Sequence, residues 1–87
     1  MQQRPERVFR DIGRRLAELR EARGWTQEEA AEHLTIGIRY LQKLEGGKAS
    51  FTLTTLIRLV NRYGVPVAAV FEPPRTRVVK RGRPRRR

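Results

Sequence analysis

Apolar residues recur at intervals of three and four in the first part of the chain, which is the spacing of an amphipathic α-helix. They predict a first helix over residues 6–23, which Gly24 ends. A short second helix is predicted over residues 27–34 because Thr26 and Glu29 have the spacing of an N-terminal capping box. Both helices carry charged residues on the side away from the apolar positions.

The same spacing continues after an interruption at residues 35–37. It predicts a third helix over residues 37–45, a fourth from the Thr52 cap to Gly64, and a fifth of one to two turns after Pro66. Period-two alternation is confined to a short stretch at residues 77–79. The predicted fold class is all-α with five helices.

The composition limits what the chain can be. Its 87 residues are enough for one small domain. No cysteine is present, which excludes disulfides and cysteine-based zinc sites, and one histidine with scattered carboxylates offers neither a metal site nor a nucleophile–base pair. We therefore expect no cofactor, no small-molecule ligand and no enzymatic activity. The longest nearly apolar run has seven residues, too few for a membrane span, so we expect a soluble cytoplasmic protein.

The positive charge is concentrated at the C-terminal end. Residues 1–74 contain all nine acidic residues and 12 of the 20 basic residues, a net charge of +3, whereas residues 75–87 contain eight basic residues and no acid. Such a segment cannot bury enough apolar surface to fold alone, so we predict a domain over 1–74 and a disordered basic tail over 75–87. The tail is either a solubilising extension or, as counterion release favours, an arm that binds a polyanion, with nucleic acid as the first candidate.

Two short helices joined by a tight turn form the unit of a helix-turn-helix. Ala31 supplies the small residue that the close crossing of the two helices needs. Leu41 and Leu44 would hold the second helix of the unit on the core, which leaves its other face free for the major groove of DNA.

At this point the sequence resembles the phage-repressor-like (Xre-type) helix-turn-helix family, from Ile12 to about Phe71. The resemblance implies a compact lambda-repressor-like domain of five helices that binds double-stranded DNA. It depends on several short pieces that occur in order at the separations typical of the family: Ile12–Leu16, Leu19-Arg20, Gly24–Glu29, Leu44–Lys48, Leu53–Leu56 and Tyr63–Pro66.

The resemblance also implies roles for individual residues. An arginine or lysine on the third helix can bond guanine O6 and N7, and an isoleucine can contact a thymine methyl. The residues expected to face base edges are Ile38, Arg39, Gln42 and Lys43. The residues expected to contact phosphates are Gln27 at the start of the second helix, Tyr40, Lys48 and Thr52. An ion pair between Arg20 and Glu45 is expected to tie the first helix to the third.

Three positions depart from the family pattern. Thr35 stands at the turn where glycine is common, and a left-handed conformation there would cost a β-branched residue ~1 kcal/mol, unless the turn differs. Gly37 replaces the usual serine or threonine cap, and Ile38 replaces a polar residue. These departures leave room for recognition by DNA shape. Trp25 is expected in the core and His33 on the surface.

The tail has a motif of its own. Lys80 to Arg85 looks like an AT-hook, in which Arg81, Gly82, Arg83, Pro84 and Arg85 lie extended in the minor groove of an A·T tract. The alternative is contact with phosphates alone, without regard to sequence.

The predicted function is that of a sequence-specific transcriptional regulator, a repressor, acting as a homodimer. Val67, Val70 and Phe71 would either form the dimer contact or close the core. Two alternatives remain open: an antitoxin-type module that binds a toxin partner and represses its own operon, and an architectural nucleic-acid-binding protein with little sequence preference.

Overall fold

The computed structural model describes residues 2–76, which form four α-helices and a short 3-10 helix. The α-helices are α1 (Pro5–Ala22), α2 (Gln27–Leu34), α3 (Ile38–Glu45) and α4 (Leu53–Tyr63), and the 3-10 helix covers Val67–Phe71. Residues 77–87 of the predicted tail, with the extended piece expected at residues 77–79, lie outside the described residues, whereas residues 75 and 76 are described and hydrogen-bond to α1.

The predicted fifth helix is present after Pro66, but it is a 3-10 helix and not an α-helix. Residues 67–71 are wound as a 3-10 helix, with a hydrogen bond from the Ala69 amide to the Pro66 carbonyl at 2.9 Å. A segment of five residues is too short to gain from the i→i+4 pattern, and 3-10 turns are common at such connections. The first helix also begins and ends one residue earlier than predicted, and Gly37 caps α3 instead of belonging to it.

The helix starts follow the local sequence. The Thr26 hydroxyl accepts a hydrogen bond from the Glu29 amide at 3.1 Å, and the Glu29 carboxylate accepts one from the Thr26 amide at 2.8 Å. This confirms the capping box. Thr52 caps α4 in the same way, through a bond from the Thr55 amide at 3.1 Å. Each threonine satisfies a backbone donor that the first turn leaves free.

The core lies where the four α-helices and the 3-10 helix meet. All elements contribute buried apolar side chains, and Ala31 of α2 is among them. The buried set is Ile12, Leu16, Ala30, Ala31, Leu34, Leu41, Leu44, Leu56, Leu59, Val60, Tyr63 and Val70. Trp25 is partly buried against this cluster, and the ring of the exposed His33 stacks on it at a centroid distance of 4.0 Å. No helix within residues 2–76 is both long enough and apolar enough to cross a bilayer.

α1 and α3 approach each other at the level of their backbones. A Cβ atom on Gly13 would collide with the carbonyl oxygens of Leu44 and Glu45. Likewise, a Cβ on Gly47, in the loop after α3, would collide with the backbone of Arg10. Glycine at these two positions therefore brings the C-terminal end of α3 and the following loop directly onto α1, which fixes the orientation of α3.

Candidate nucleic-acid interface

α3 has one side in the core and one side in solvent. Leu41 and Leu44 are buried, whereas Arg39, Gln42 and Lys43 are exposed. We call these three exposed residues the outer face of α3. They lie on one side because the helix turns by 3.6 residues, so the buried and exposed positions alternate in steps of three and four.

Three of the predicted contact residues, Gln27, Ile38 and Tyr40, are half-buried and not fully exposed. Ile38 and Tyr40 are both half-buried and pack against the core cluster. Only part of each side chain is available to a partner, because the first turn of α3 rests against the domain at these positions.

The turn that joins α2 to α3 is strained at one residue. Thr35 adopts the left-handed conformation, with φ 59° and ψ 47°, so the family's turn is retained without the glycine. Its amide bonds the Glu32 carbonyl at 3.2 Å, and the Ile36 amide bonds the Ala31 carbonyl at 3.0 Å. A β-branched side chain in this conformation costs about 1–2 kcal/mol.

A largely buried ion pair connects α1 to the helix-turn-helix unit formed by α2 and α3. Arg20 on α1 donates from Nε to Glu45 Oε2 at 2.7 Å and from Nη2 to Glu45 Oε1 at 3.1 Å. The side chains are 13% and 6% exposed, respectively. Arg20 also donates to the Trp25 carbonyl at 3.0 Å. The pair therefore joins α1, the start of the helix-turn-helix and the end of α3.

The ion pair continues into a chain of amide hydrogen bonds that reaches the outer face of α3. Gln27 Nε2 donates to Glu45 Oε1 at 3.0 Å, and Gln42 Nε2 donates to Gln27 Oε1 at 3.3 Å. The direction of these bonds is determined by Glu45, because an ionised carboxylate only accepts. Because the NH2 group of Gln27 donates to Glu45, the oxygen of Gln27 faces Gln42, and Gln42 donates to it from its NH2 group. The Gln42 oxygen and one of its N–H groups are not used in this chain.

Lys48 and Thr52 belong to the α3–α4 loop, residues 46–52, and both are exposed. The Lys48 amide bonds the Lys43 carbonyl at 2.8 Å, which turns the chain sharply at the end of α3. The Thr52 hydroxyl already accepts the capping bond from the Thr55 amide, and its oxygen also lies 3.1 Å from the Thr55 hydroxyl oxygen, a hydrogen bond in which either group can donate.

One exposed cation beside this loop was not predicted. Arg10 lies directly against Gly47, so its side chain leaves α1 next to the loop that carries Lys48. The edge-to-face contact of Phe9 with Phe51, at 5.3 Å between ring centroids, holds the same part of α1 on the loop. The sequence gives no direct sign of this contact because the two segments are far apart along the chain.

The apolar residues after α4 divide between core and surface. Val70 is buried in the core and Val67 is half-buried against it, whereas Phe71 is 56% exposed. Leu53 and Ile57 on α4 are also exposed, at 60% and 40%. Core closure therefore accounts for Val70, and an exposed apolar set remains at Leu53, Ile57 and Phe71. The tail residues Arg81 to Arg85 lie outside the described part of the chain.

Comparison with known proteins finds a match between residues 11–71 and a family described as a helix-turn-helix domain. The chain is 43% identical over 54 residues to the HTH-type transcriptional regulator ImmR of Bacillus subtilis (strain 168), which covers 62% of this chain and 42% of that protein. The chain thus spans less than half of the length of this curated relative.

Solved structures show the same fold. The restriction-modification controller protein C.AhdI from Aeromonas hydrophila is 27% identical, with a TM-score of 0.67 over 72% of this chain and 96% of that protein. An HTH_3 family transcriptional regulator from Vibrio cholerae is 24% identical, with a TM-score of 0.72 over 78% of this chain and 38% of that one. The second likeness supports the fold alone.

Proposed function

The chain belongs to the helix-turn-helix domain family, and from that premise we propose that it is a DNA-binding transcriptional regulator, a repressor that places α3 in the major groove. The observation that carries the proposal is the outer face of α3, where Arg39, Gln42 and Lys43 are exposed while the opposite side of the helix is buried. The names of two similar proteins, a transcriptional regulator and a restriction-modification controller, support the same function. Such a regulator is a binding protein and not an enzyme, and it acts in the cytoplasm, at the nucleoid.

The three exposed side chains have different recognition chemistry. Arg39 has the fork that fits guanine O6 and N7, and Lys43 can reach the same acceptors. Gln42 retains an oxygen and an N–H, the pair that adenine N6 and N7 require, and its bond to Gln27 would favour one orientation of the amide. Ile38 offers the exposed part of its side chain to a thymine methyl. A preferred orientation of the amide before binding reduces the side-chain entropy that is lost in the complex.

The phosphate contacts would come from the ends of helices around this face. Lys48 and the start of α4 at Thr52 lie on one side, and the start of α2 at Gln27 lies on the other, where free backbone N–H groups favour an anion. The side-chain amide of Gln27 is engaged with Glu45 and Gln42, so its contribution would come through the backbone and its remaining N–H. The hydroxyl of the half-buried Tyr40 would add a contact beside α3.

The chain divides functionally into the domain of residues 1–74 and the basic tail of residues 75–87. The tail carries eight of the 20 basic residues and is proposed to contact the minor groove through Arg81–Arg85, or the phosphates. It would strengthen binding at sites that α3 selects.

A homodimer on a two-fold symmetric site fits the surface of the domain. Phe71 with Leu53 and Ile57 offers exposed apolar side chains outside the helix-turn-helix unit, where an isologous contact would leave both copies of α3 free. Two half-sites would then lie about 34–36 Å apart, or at a multiple of this distance.

Selection of bound sites from random DNA tests the proposal. The wild type should prefer one site over competitor DNA by about 10³ or more, whereas an architectural binder would show no such ratio. The variants Arg39→Ala and Lys43→Ala should each cost ~1–3 kcal/mol on the best site and relax the preference at one base pair. The matched control is Arg58→Ala, which removes an equal charge from the exposed side of α4. Unchanged base preference in both α3 variants would refute the assignment of the outer face.

Deletion of residues 75–87 tests the tail separately. The slope of log affinity against log salt should become shallower by up to about 7, since each phosphate contact contributes about 0.9 and the tail has eight cations. A slope equal to that of the full chain would show that the tail does not contact DNA. An antitoxin-type role predicts instead that affinity changes when the product of a neighbouring gene is added.

A further inference from the structure

The last described residues are hydrogen-bonded to the surface of α1, and the Glu18 carboxylate accepts two of these bonds. Glu18 Oε2 accepts hydrogen bonds from two consecutive backbone amides, those of Arg75 at 2.7 Å and Thr76 at 3.2 Å. Its other oxygen accepts a bond from Arg15 Nη1 at 2.8 Å. Burial acts to raise the pKa of Glu18, but the bonds from Arg15 and from the Thr76 and Arg75 backbones outweigh it and lower the pKa. The carboxylate is therefore ionised at neutral pH.

The Glu18 carboxylate is largely covered by its surroundings, whereas Arg75 and Thr76, which bond to it, are exposed. The Glu18 side chain is 11% exposed, and Pro74, just before the bonded amides, is buried. Arg14 is buried as well and donates from Nε to the Thr76 carbonyl at 3.3 Å. Arg15 donates to the Ala69 carbonyl at 2.9 Å, which ties the 3-10 helix to the same side of α1.

We call the hydrogen bonds that Glu18 accepts from the Arg75 and Thr76 amides the clamp. The clamp lies on the helix that also contacts the loop of the proposed DNA interface. Arg14 lies one helical turn from Arg10, about 6 Å along the axis, and Arg10 abuts Gly47 in the α3–α4 loop. The basic tail thus starts on a part of α1 that lies one turn from Arg10, the residue that contacts the loop carrying Lys48. The 11 residues from 77 to 87 span at most about 36–40 Å when extended, which is enough to reach DNA bound at that loop.

We propose that Glu18 is a positioning residue for the basic tail. By holding Arg75 and Thr76 on α1, it makes the tail leave the domain beside the α3–α4 loop, and it thereby determines which base pairs next to the half-site the tail contacts. This inference rests on the proposed DNA-binding function and extends it. A free chain after Pro74 could leave in many directions, whereas the clamp removes that freedom before DNA is bound.

Release of the clamp should change the affinity for DNA less than it changes the place where the tail contacts DNA. Releasing Arg75 and Thr76 lengthens the free segment from 11 to 13 residues, which lowers the effective concentration of the tail at DNA only about 1.3-fold. The overall affinity should therefore change less than twofold. The place of contact should change more, because the direction of the first residues of the tail is lost.

Hydrogen exchange in the free protein tests the clamp without DNA. The amides of Arg75 and Thr76 should exchange at least about tenfold more slowly than in an unstructured chain, and Glu18→Gln should abolish this protection. Glu6→Gln, which removes an exposed carboxylate from the same helix, should leave it unchanged. Rapid exchange of both amides in the wild type would overturn the proposal.

Directed DNA cleavage tests positioning. The chain contains no cysteine, so Val79→Cys provides a unique attachment point for a cleavage reagent three residues beyond Thr76. On a selected site, cleavage should fall in a narrow window on the flank nearest the α3–α4 loop, and Glu18→Gln should widen or move it. Thr76→Pro removes one of the two bonded N–H groups without altering α1 and should have the same effect, which covers the case in which Glu18→Gln lowers stability.

The outcomes separate the two ideas. The wild type could protect the Arg75 and Thr76 amides from exchange while all three proteins cleave DNA in the same window. That result would overturn positioning by Glu18 and leave the DNA-binding function standing. Absence of cleavage from position 79, together with an unchanged salt slope after deletion of the tail, would refute the tail contact and with it the positioning role. Loss of binding in the Arg39 and Lys43 variants would still support the α3 interface.

Discussion

Replacing Glu45 by glutamine tests whether the ion pair beneath the helix-turn-helix stabilises the domain. The carboxylate accepts three hydrogen bonds, two from Arg20 and one from Gln27, at 2.7, 3.1 and 3.0 Å. An amide of the same shape has one acceptor oxygen, so at least one of the three donors would face an NH2 group. The guanidinium of Arg20, which is 13% exposed, would lose its closest carboxylate and keep only Glu21, whose Oε2 lies 3.8 Å from Nη2.

The expected cost follows from this geometry. Breaking one partner of a buried ion pair costs ~3–5 kcal/mol, whereas an exposed pair contributes ~0.2–1 kcal/mol. We expect about 3 kcal/mol, at the lower end for a buried pair, because Arg20 keeps its bond to the Trp25 carbonyl at 3.0 Å. For a domain of this size, that loss corresponds to a decrease in Tm of roughly 12–24 °C.

Urea unfolding followed by the fluorescence of the single tryptophan, Trp25, measures the effect. Glu32→Gln, an exposed change on α2, is the control and should stay within about 0.5 kcal/mol of the wild type. The double variant Arg20→Met with Glu45→Leu should recover much of the loss, since a packed apolar pair replaces the charges. A loss below about 1 kcal/mol for Glu45→Gln would show that water screens the pair, and the reasoning from burial would be wrong.

Two further changes probe strain and burial. Thr35→Gly should raise the free energy of unfolding by up to ~1 kcal/mol, because glycine relieves the left-handed strain at φ 59° by more than it loses in chain entropy. A lower free energy of unfolding in urea for this variant would contradict the prediction. Tyr63→Phe should leave stability equal or up to ~1 kcal/mol higher at neutral pH, since the buried hydroxyl has no hydrogen-bond partner within residues 2–76. Burial, with the negative charge of Glu45 and against the effect of Arg20, raises the pKa of Tyr63 to about 12. The unfolded state therefore loses this proton first, and the stability due to Tyr63 should fall as the pH rises from 10 to 12. Unfolding followed by circular dichroism should show this fall in the wild type and not in Tyr63→Phe. The same fall in the variant would contradict the assignment to Tyr63.

The features that the sequence predicted correctly are local ones. Thr26 and Thr52 could be assigned as caps because their partners lie three residues away. The inward stripe of Leu41 and Leu44 followed from helical periodicity. These signals are contained in a few consecutive residues, so no knowledge of the tertiary structure is needed to interpret them.

The features that escaped prediction depend on how separate segments meet. Apolar spacing alone could not distinguish the 3-10 helix from a short α-helix. Helical spacing of the apolar residues in α4 also does not distinguish Leu56 and Leu59, which are buried, from Leu53 and Ile57, which are exposed. The bond from Gln42 to Gln27 requires the relative placement of two helices, and the bonds of Glu18 join residues 57 and 58 positions apart. Long-range polar contacts of this kind leave no periodic trace in the sequence.

The first turns of α1 work as a bracket for a loop that lies far along the chain. The family match starts at residue 11, yet Phe9 supplies the ring against which Phe51 packs, and Arg10 supplies the backbone on which Gly47 rests. A protein shortened to the matched residues would keep every residue of the motif and lose this bracket. The limits of a recognisable motif are therefore narrower than the limits of the mechanical unit that keeps it in shape.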